Sequence, residues 1–115
     1  MENTELKNYE KRDAILTIRG LTYAAKKYAG DTNLKLPYLS PIYGDFSQLC
    51  PITIFTGTND LLHPDSYKLR GSLLNRNLPF NYFEYPNMFH DWVIFTFLPE
   101  SLDALNKVSE ILKRL

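Results

Sequence analysis

Two residues carry the strongest chemical signal in this chain. Asp60 follows the apolar run Pro51-Ile52-Thr53-Ile54-Phe55-Thr56-Gly57, and His90 follows Phe80-Asn81-Tyr82-Phe83-Glu84-Tyr85-Pro86. Each stands just beyond the end of an expected strand. In a parallel α/β sheet the loops at the carboxyl ends of strands share one rim, and that rim holds the chemistry. An acid and a histidine placed there are two of the three members of a Ser-His-Asp triad. The acid holds one ring nitrogen, and the other takes a proton from the nucleophile. The third member is missing, because the 115 residues contain no Gly-x-Ser-x-Gly turn.

Each candidate also has a plainer explanation. His90 lies among aromatics, in Met88-Phe89-His90-Asp91-Trp92, where a half-buried structural histidine is also at home. Its place in a loop after a strand favours function. Asp60 follows Gly57-Thr58-Asn59, a stretch in which an Asp commonly caps a turn. Asp65 competes for the acid role, but its place near a helix start explains it without catalysis. Asp91 is the weakest of the three, since the residue next to a histidine points elsewhere in most loops. His63 suits a helix entrance. Cys50 reads as a small apolar residue opening a buried strand.

None of the serines looks like a nucleophile. Ser66, Ser72, Ser101 and Ser109 fall in expected helices, and Ser40 precedes Pro41, which has no N–H to stabilise an oxyanion. One cysteine and two histidines are poor material for a metal site, and no cofactor motif is present.

Composition narrows the class. With 44% hydrophobic and 23% charged residues the chain is that of an ordinary folded domain. The formal net charge is zero and no basic stripe runs along the chain, which argues against nucleic acid or an anionic membrane as partner. The polar start, Met1-Glu2-Asn3-Thr4, is unlike a secretory signal, and no apolar run reaches membrane-spanning length. A cytoplasmic protein is expected. One Trp, eight Tyr and seven Phe suit a buried core or a face awaiting a partner.

The elements that must position Asp60 and His90 follow from periodicity and capping. Residues 1–13 read as a polar arm or a short helix. A helix is expected over 17–29, with Thr17 as N-cap, Leu21, Ala24, Ala25 and Tyr28 on one face, and Gly30 at the end. Residues 31–49 read as loop. A strand over 50–57, apolar without alternation, suggests cover on both faces. A helix over 64–77 begins at Pro64 and turns Leu69, Leu73 and Leu74 to the sheet. The second strand is 80–85. A last helix over 99–115 carries the stripe Leu102, Leu105, Val108, Ile111, Leu112 and Leu115. Strand–helix–strand units are almost always parallel. Two strands leave sheet edges unpaired, so the chain reads as one α/β domain cut from a larger sheet.

At these residues the sequence resembles the C-terminal part of the α/β-hydrolase esterases and lipases of the hormone-sensitive-lipase type. Glu10-Lys11-Arg12-Asp13-Ala14-Ile15-Leu16 is similar to the segment after the family's sixth strand. Tyr28-Ala29-Gly30-Asp31 and Leu39-Ser40-Pro41-Ile42-Tyr43-Gly44-Asp45 are similar to the approach to its seventh. Gly57-Thr58-Asn59-Asp60-Leu61-Leu62 looks like the family's acid loop, and Phe89-His90 with Trp92 looks like its histidine loop. The resemblance implies a partial α/β-hydrolase fold over 1–115, with Asp60 as triad acid and His90 as triad base.

It also implies ancestry in carboxylic-ester hydrolysis without cofactor or metal. Two departures stand out: the nucleophile elbow and oxyanion loop of the family's N-terminal half have no counterpart here, and Asp91 replaces the usual Gly. The expectations are a chain inactive alone, completed either by a complementary N-terminal hydrolase half or, as a non-catalytic remnant, by homodimerisation. A small ester is a substrate only of the completed site.

Overall fold

The structure is a computed structural model and describes residues 4–114; residues 1–3 and Leu115 of the expected terminal elements lie outside the described residues. The polar start forms helix α1, Thr4–Glu10, and α2 follows as Ile18–Ala29. The two are tied end to start, because the Ile18 N–H donates to Glu10 Oε1 at 2.6 Å. Thr17 is extended and its Oγ1 accepts from Gly20 N–H at 3.0 Å, satisfying one of the orphan donors of the first turn. Gly30 closes α2 at φ 55°, where a side chain would be strained. The apolar face expected on α2 is open: Tyr28 is 76% exposed, and among these helix residues only Ala29 is buried.

Residues 31–49 are irregular apart from one 3-10 turn, Pro41–Tyr43. Strand β1, Ile52–Gly57, begins two residues later than the apolar run suggests. Cys50 therefore lies outside the strand and is exposed, contrary to its reading as a buried apolar residue. Helix α3, His63–Asn75, leads to strand β2, Phe80–Tyr85. The two strands pair in parallel, in register from Ile52 with Phe80 to Gly57 with Tyr85. A 3-10 turn, Trp92–Ile94, precedes helix α4, Pro99–Leu112.

This is the expected strand–helix–strand–helix portion of an α/β fold. It departs from expectation in what covers it. Within β1 the residues Ile52–Phe55 are only half-buried, and full burial begins at Thr56. On α3, Leu73 is fully buried while Leu74 is 57% exposed. On α4 the fully buried residues are Ser101 and Ala104, and the expected stripe leaves Leu102, Leu105 and Leu112 open.

The core gathers at the carboxyl ends of the strands. Tyr85, Trp92 and Ala104 are buried there, with Phe55, Phe83, Met88, Phe89, Val93 and Leu98 packed around them. Phe55 stacks on Phe83 with centroids 5.0 Å apart, and Tyr85 meets Trp92 at 5.2 Å, within the range where aromatic pairs add to simple burial. Ser101 Oγ donates to Val93 O at 2.5 Å, fixing α4 to the turn after His90.

Candidate functional site

Asp60 and His90 meet above this core. The loop after β1 turns sharply: Asp60 N–H donates to Gly57 O at 3.1 Å, and His63 N–H to Asp60 O at 3.0 Å. This buries Asp60 and directs its carboxylate at His90, whose Nδ1 lies 3.2 Å from Oδ2 and 3.3 Å from Oδ1. Leu62 N–H donates to Asp60 Oδ1 at 2.7 Å and fixes the carboxylate from the other side.

Four hydrogen bonds stitch the acid loop to the histidine loop. Thr58 N–H donates to Tyr85 O at 3.0 Å, and Asn59 N–H to Met88 O at 2.9 Å. Asn87 N–H donates to Thr58 Oγ1 at 2.8 Å, and Asn59 Nδ2 to Asn87 O at 3.2 Å. Glycine at 57 is what allows this approach. A Cβ there would sit 2.1 Å from Met88 O, well inside the closest contact real Cβ atoms make. The separation of Asp60 from His90 is therefore set by paired backbone, not by two flexible side chains.

One further carboxylate reaches the site from far along the chain. Asp13, in the segment between α1 and α2, reaches across 48 positions to accept the Leu61 N–H at 2.7 Å on Oδ2. Its Oδ1 accepts Ile15 N–H at 2.8 Å and Leu16 N–H at 3.1 Å. Partial burial works against its charge. The three amide donors and the nearby His90 outweigh that, and the Asp13 carboxyl sits below its ordinary value. In the sequence, only its place in the segment Glu10–Leu16 points to it. A contact this distant has no local pattern to announce it.

The other candidates fall as follows. Asp65 lies in the first turn of α3 and pairs with Lys68 at 3.6 Å, not with His90. His63 opens α3, as expected, and is buried: its Nδ1 lies 3.1 Å from Thr56 Oγ1 and its Nε2 3.5 Å from Glu84. Asp91 does not point elsewhere. Its Oδ2 lies 3.4 Å from His90 Nε2.

Ser66, Ser72, Ser101 and Ser109 are within helices. Ser66 alone of these lines the open depression of about 220 Å³ beside Asp60 and His90, together with Phe55, Leu62, Trp92 and Val93. Among the described residues no cluster of three His, Cys, Asp or Glu side chains could hold a metal ion, and no helix is long and apolar enough to cross a membrane.

The parallel strand pair, with Asp60 in the loop after one strand and His90 in the loop after the other, is an arrangement open to comparison with known folds. The family model described as the alpha/beta hydrolase fold matches residues 1–94, and the chain belongs to that family. Among curated relatives it is similar to an acetyl-hydrolase of Streptomyces hygroscopicus, 31% identical over 103 residues, which are 89% of this chain and 34% of that protein.

Among solved structures it superposes on an esterase/lipase from an uncultured bacterium with TM-score 0.87 at 26% identity, covering 98% of this chain and 38% of the other. An esterase of the bacterial hormone-sensitive lipase family shares the fold at TM-score 0.90 and 23% identity, again with 98% and 38% covered. The chain thus spans about a third of the length of the curated relative and somewhat more of the solved ones. Its likeness is to a part of esterases and lipases.

Proposed function

We propose that this chain carries the acid–base half of a carboxylic-ester hydrolase site. Asp60 holds His90 through Nδ1, and Nε2 takes the proton of a serine hydroxyl as that oxygen attacks the ester carbonyl. The proton then passes to the leaving alcohol, and water cleaves the acyl-serine by the same route in reverse. The site needs no metal or cofactor. The observation that carries this reading is the 3.2 Å contact between Asp60 and His90, made between two loops that backbone hydrogen bonds hold in place.

Among the described residues no serine sits on a strand-to-helix turn, so the completed site takes its nucleophile and oxyanion donors from a segment outside these residues that bears a Gly-x-Ser-x-Gly turn. Acting alone the chain has no serine-esterase activity, because oxyanion donors and nucleophile together supply most of the transition-state stabilisation of such sites. Labelling of the chain alone by a fluorophosphonate would overturn that. For the completed site the test is hydrolysis of a short-chain p-nitrophenyl ester after mixing with an N-terminal hydrolase half. Activity unaffected by His90→Ala refutes the assignment.

A second reading has a specific observation in its favour. Phe97 is 81% exposed, Ile94 68% and Tyr38 95%, and β1 is half-open over Ile52–Phe55. Exposed apolar groups, and strand edges left unpaired among the described residues, also suit a non-catalytic chain that closes its surface by homodimerisation. Sedimentation separates the two: a stable monomer at micromolar concentration excludes the dimer.

A further inference from the structure

His90 has a carboxylate on both sides. Nδ1 lies 3.2 Å from Asp60 Oδ2, and Nε2 lies 3.4 Å from Asp91 Oδ2. A neutral imidazole has one N–H and one bare nitrogen, whereas an ionised carboxylate only accepts. One of the two contacts must then face a lone pair across a negative charge. A proton on Nδ1 satisfies Asp60 and leaves Nε2 bare, the form a general base requires. A proton on Nε2 satisfies Asp91 and spoils the base.

Among the described residues the Asp91 side chain has no partner other than His90. It precedes the 3-10 turn Trp92–Ile94, but its side chain makes no capping hydrogen bond to that turn. Its backbone is left-handed at φ 55° and ψ 24°, a region that Gly enters with least strain and Asp or Asn more readily than other residues, so the angle admits Asp91 without requiring its charge. Among the described residues Asp13 also feels the charge of His90, and its carboxylate is engaged with three backbone amides.

We propose that Asp91 competes with Asp60 for the proton of neutral His90, and so acts as a positioning residue that restrains Nε2 as a base. This rests on the reading of Asp60 and His90 as an acid–base pair. The competition is unequal. The Asp60 side chain is 11% exposed and that of Asp91 63%, so water screens Asp91 far more and the Nδ1–H tautomer stays in the majority. An exposed pair of this kind changes the tautomer ratio by about two- to fivefold. Access of a serine hydroxyl to Nε2 would displace the Asp91 side chain into solvent.

The test uses the whole 15N-labelled chain and long-range 1H–15N spectra of the histidine rings, recorded where the rings are neutral. Asp91→Gly should raise the ratio of Nδ1–H to Nε2–H tautomer at His90 by about two- to fivefold. Asp91→Asn should raise it at least as far, because its amide N–H can donate to a bare Nε2. Asp60→Asn should move the ratio the opposite way. The ring signals of His63, held between Thr56 and Glu84, report that each variant keeps its fold. If both Asp91 variants leave the ratio unchanged while Asp60→Asn reverses it, the restraint is refuted and the acid–base pair stands. If Asp60→Asn leaves the ratio unchanged, the pair itself is refuted, and the competition with it.

Discussion

Removal of the Asp13 carboxylate tests whether the acid loop is held from a distance. The side chain accepts three backbone N–H groups, and Asp13→Ala strands all of them. They are not equal. Ile15 is 49% exposed, so its amide turns to water at little cost. Leu16 is half-buried, and its lost bond costs about 1 kcal/mol. Leu61 is 2% exposed, and a buried donor left without a partner costs about 1–3 kcal/mol. The expected loss is about 2–4 kcal/mol, read by urea unfolding of the whole chain at about pH 7.

The pH dependence gives a second, independent reading. The folded Asp13 carboxyl titrates below its ordinary value, so between the folded and unfolded values the unfolded chain binds more protons. Stability from this group is present at neutral pH and is lost as pH falls below about 4, toward the folded value. The difference between wild type and Asp13→Ala should therefore shrink on acidification. A difference under about 0.5 kcal/mol at neutral pH, or one that does not shrink in acid, refutes the reasoning.

Three other expectations follow from single observations. Gly57→Ala forces Met88 backbone away from β1, since the added Cβ would stand 2.1 Å from Met88 O; it should cost about 1–3 kcal/mol or more in urea unfolding and disturb the His90 ring signals. Burial and the neighbouring Glu84 push the Tyr82 hydroxyl up to about 12. A folded value above the unfolded one means its contribution is complete below about pH 10 and is lost as pH rises toward 12, so Tyr82→Phe should flatten the alkaline limb of the stability profile. Cys50 is exposed and outside β1, so Ellman's reagent should titrate one thiol in the native chain without denaturant; a thiol that reacts only after unfolding would contradict its placement.

The elements of the fold were legible because their signals are local. Thr17 and Gly30 mark the ends of α2 by capping chemistry that a few adjacent residues settle, and Phe80–Tyr85 is β-prone throughout. Which faces those elements bury was not legible, because burial depends on what else is packed there. The stripe on α4 repeats as a core face should, yet Leu102, Leu105 and Leu112 are open while Ser101 and Ala104 are closed. Period names a face only relative to a partner, and the described residues supply cover along one edge of α4. The same holds for β1, whose unbroken apolar run asks for two covered faces and finds them half-open over Ile52–Phe55.

The candidate site divides along the same line. Asp60 and His90 stood out because each follows its own strand, and parallel pairing in register brings those two strand ends together whatever else the chain does. Asp13 and Asp91 did not stand out, for opposite reasons. Asp13 acts across 48 positions, and nothing near it in sequence hints at Leu61. Asp91 is adjacent to His90, and in most loops the residue next to a histidine points elsewhere. Here its left-handed backbone brings the carboxylate back to the ring. The contact between Asp60 and His90 can thus be read from topology, but the charges beside it depend on one backbone angle and one long-range amide.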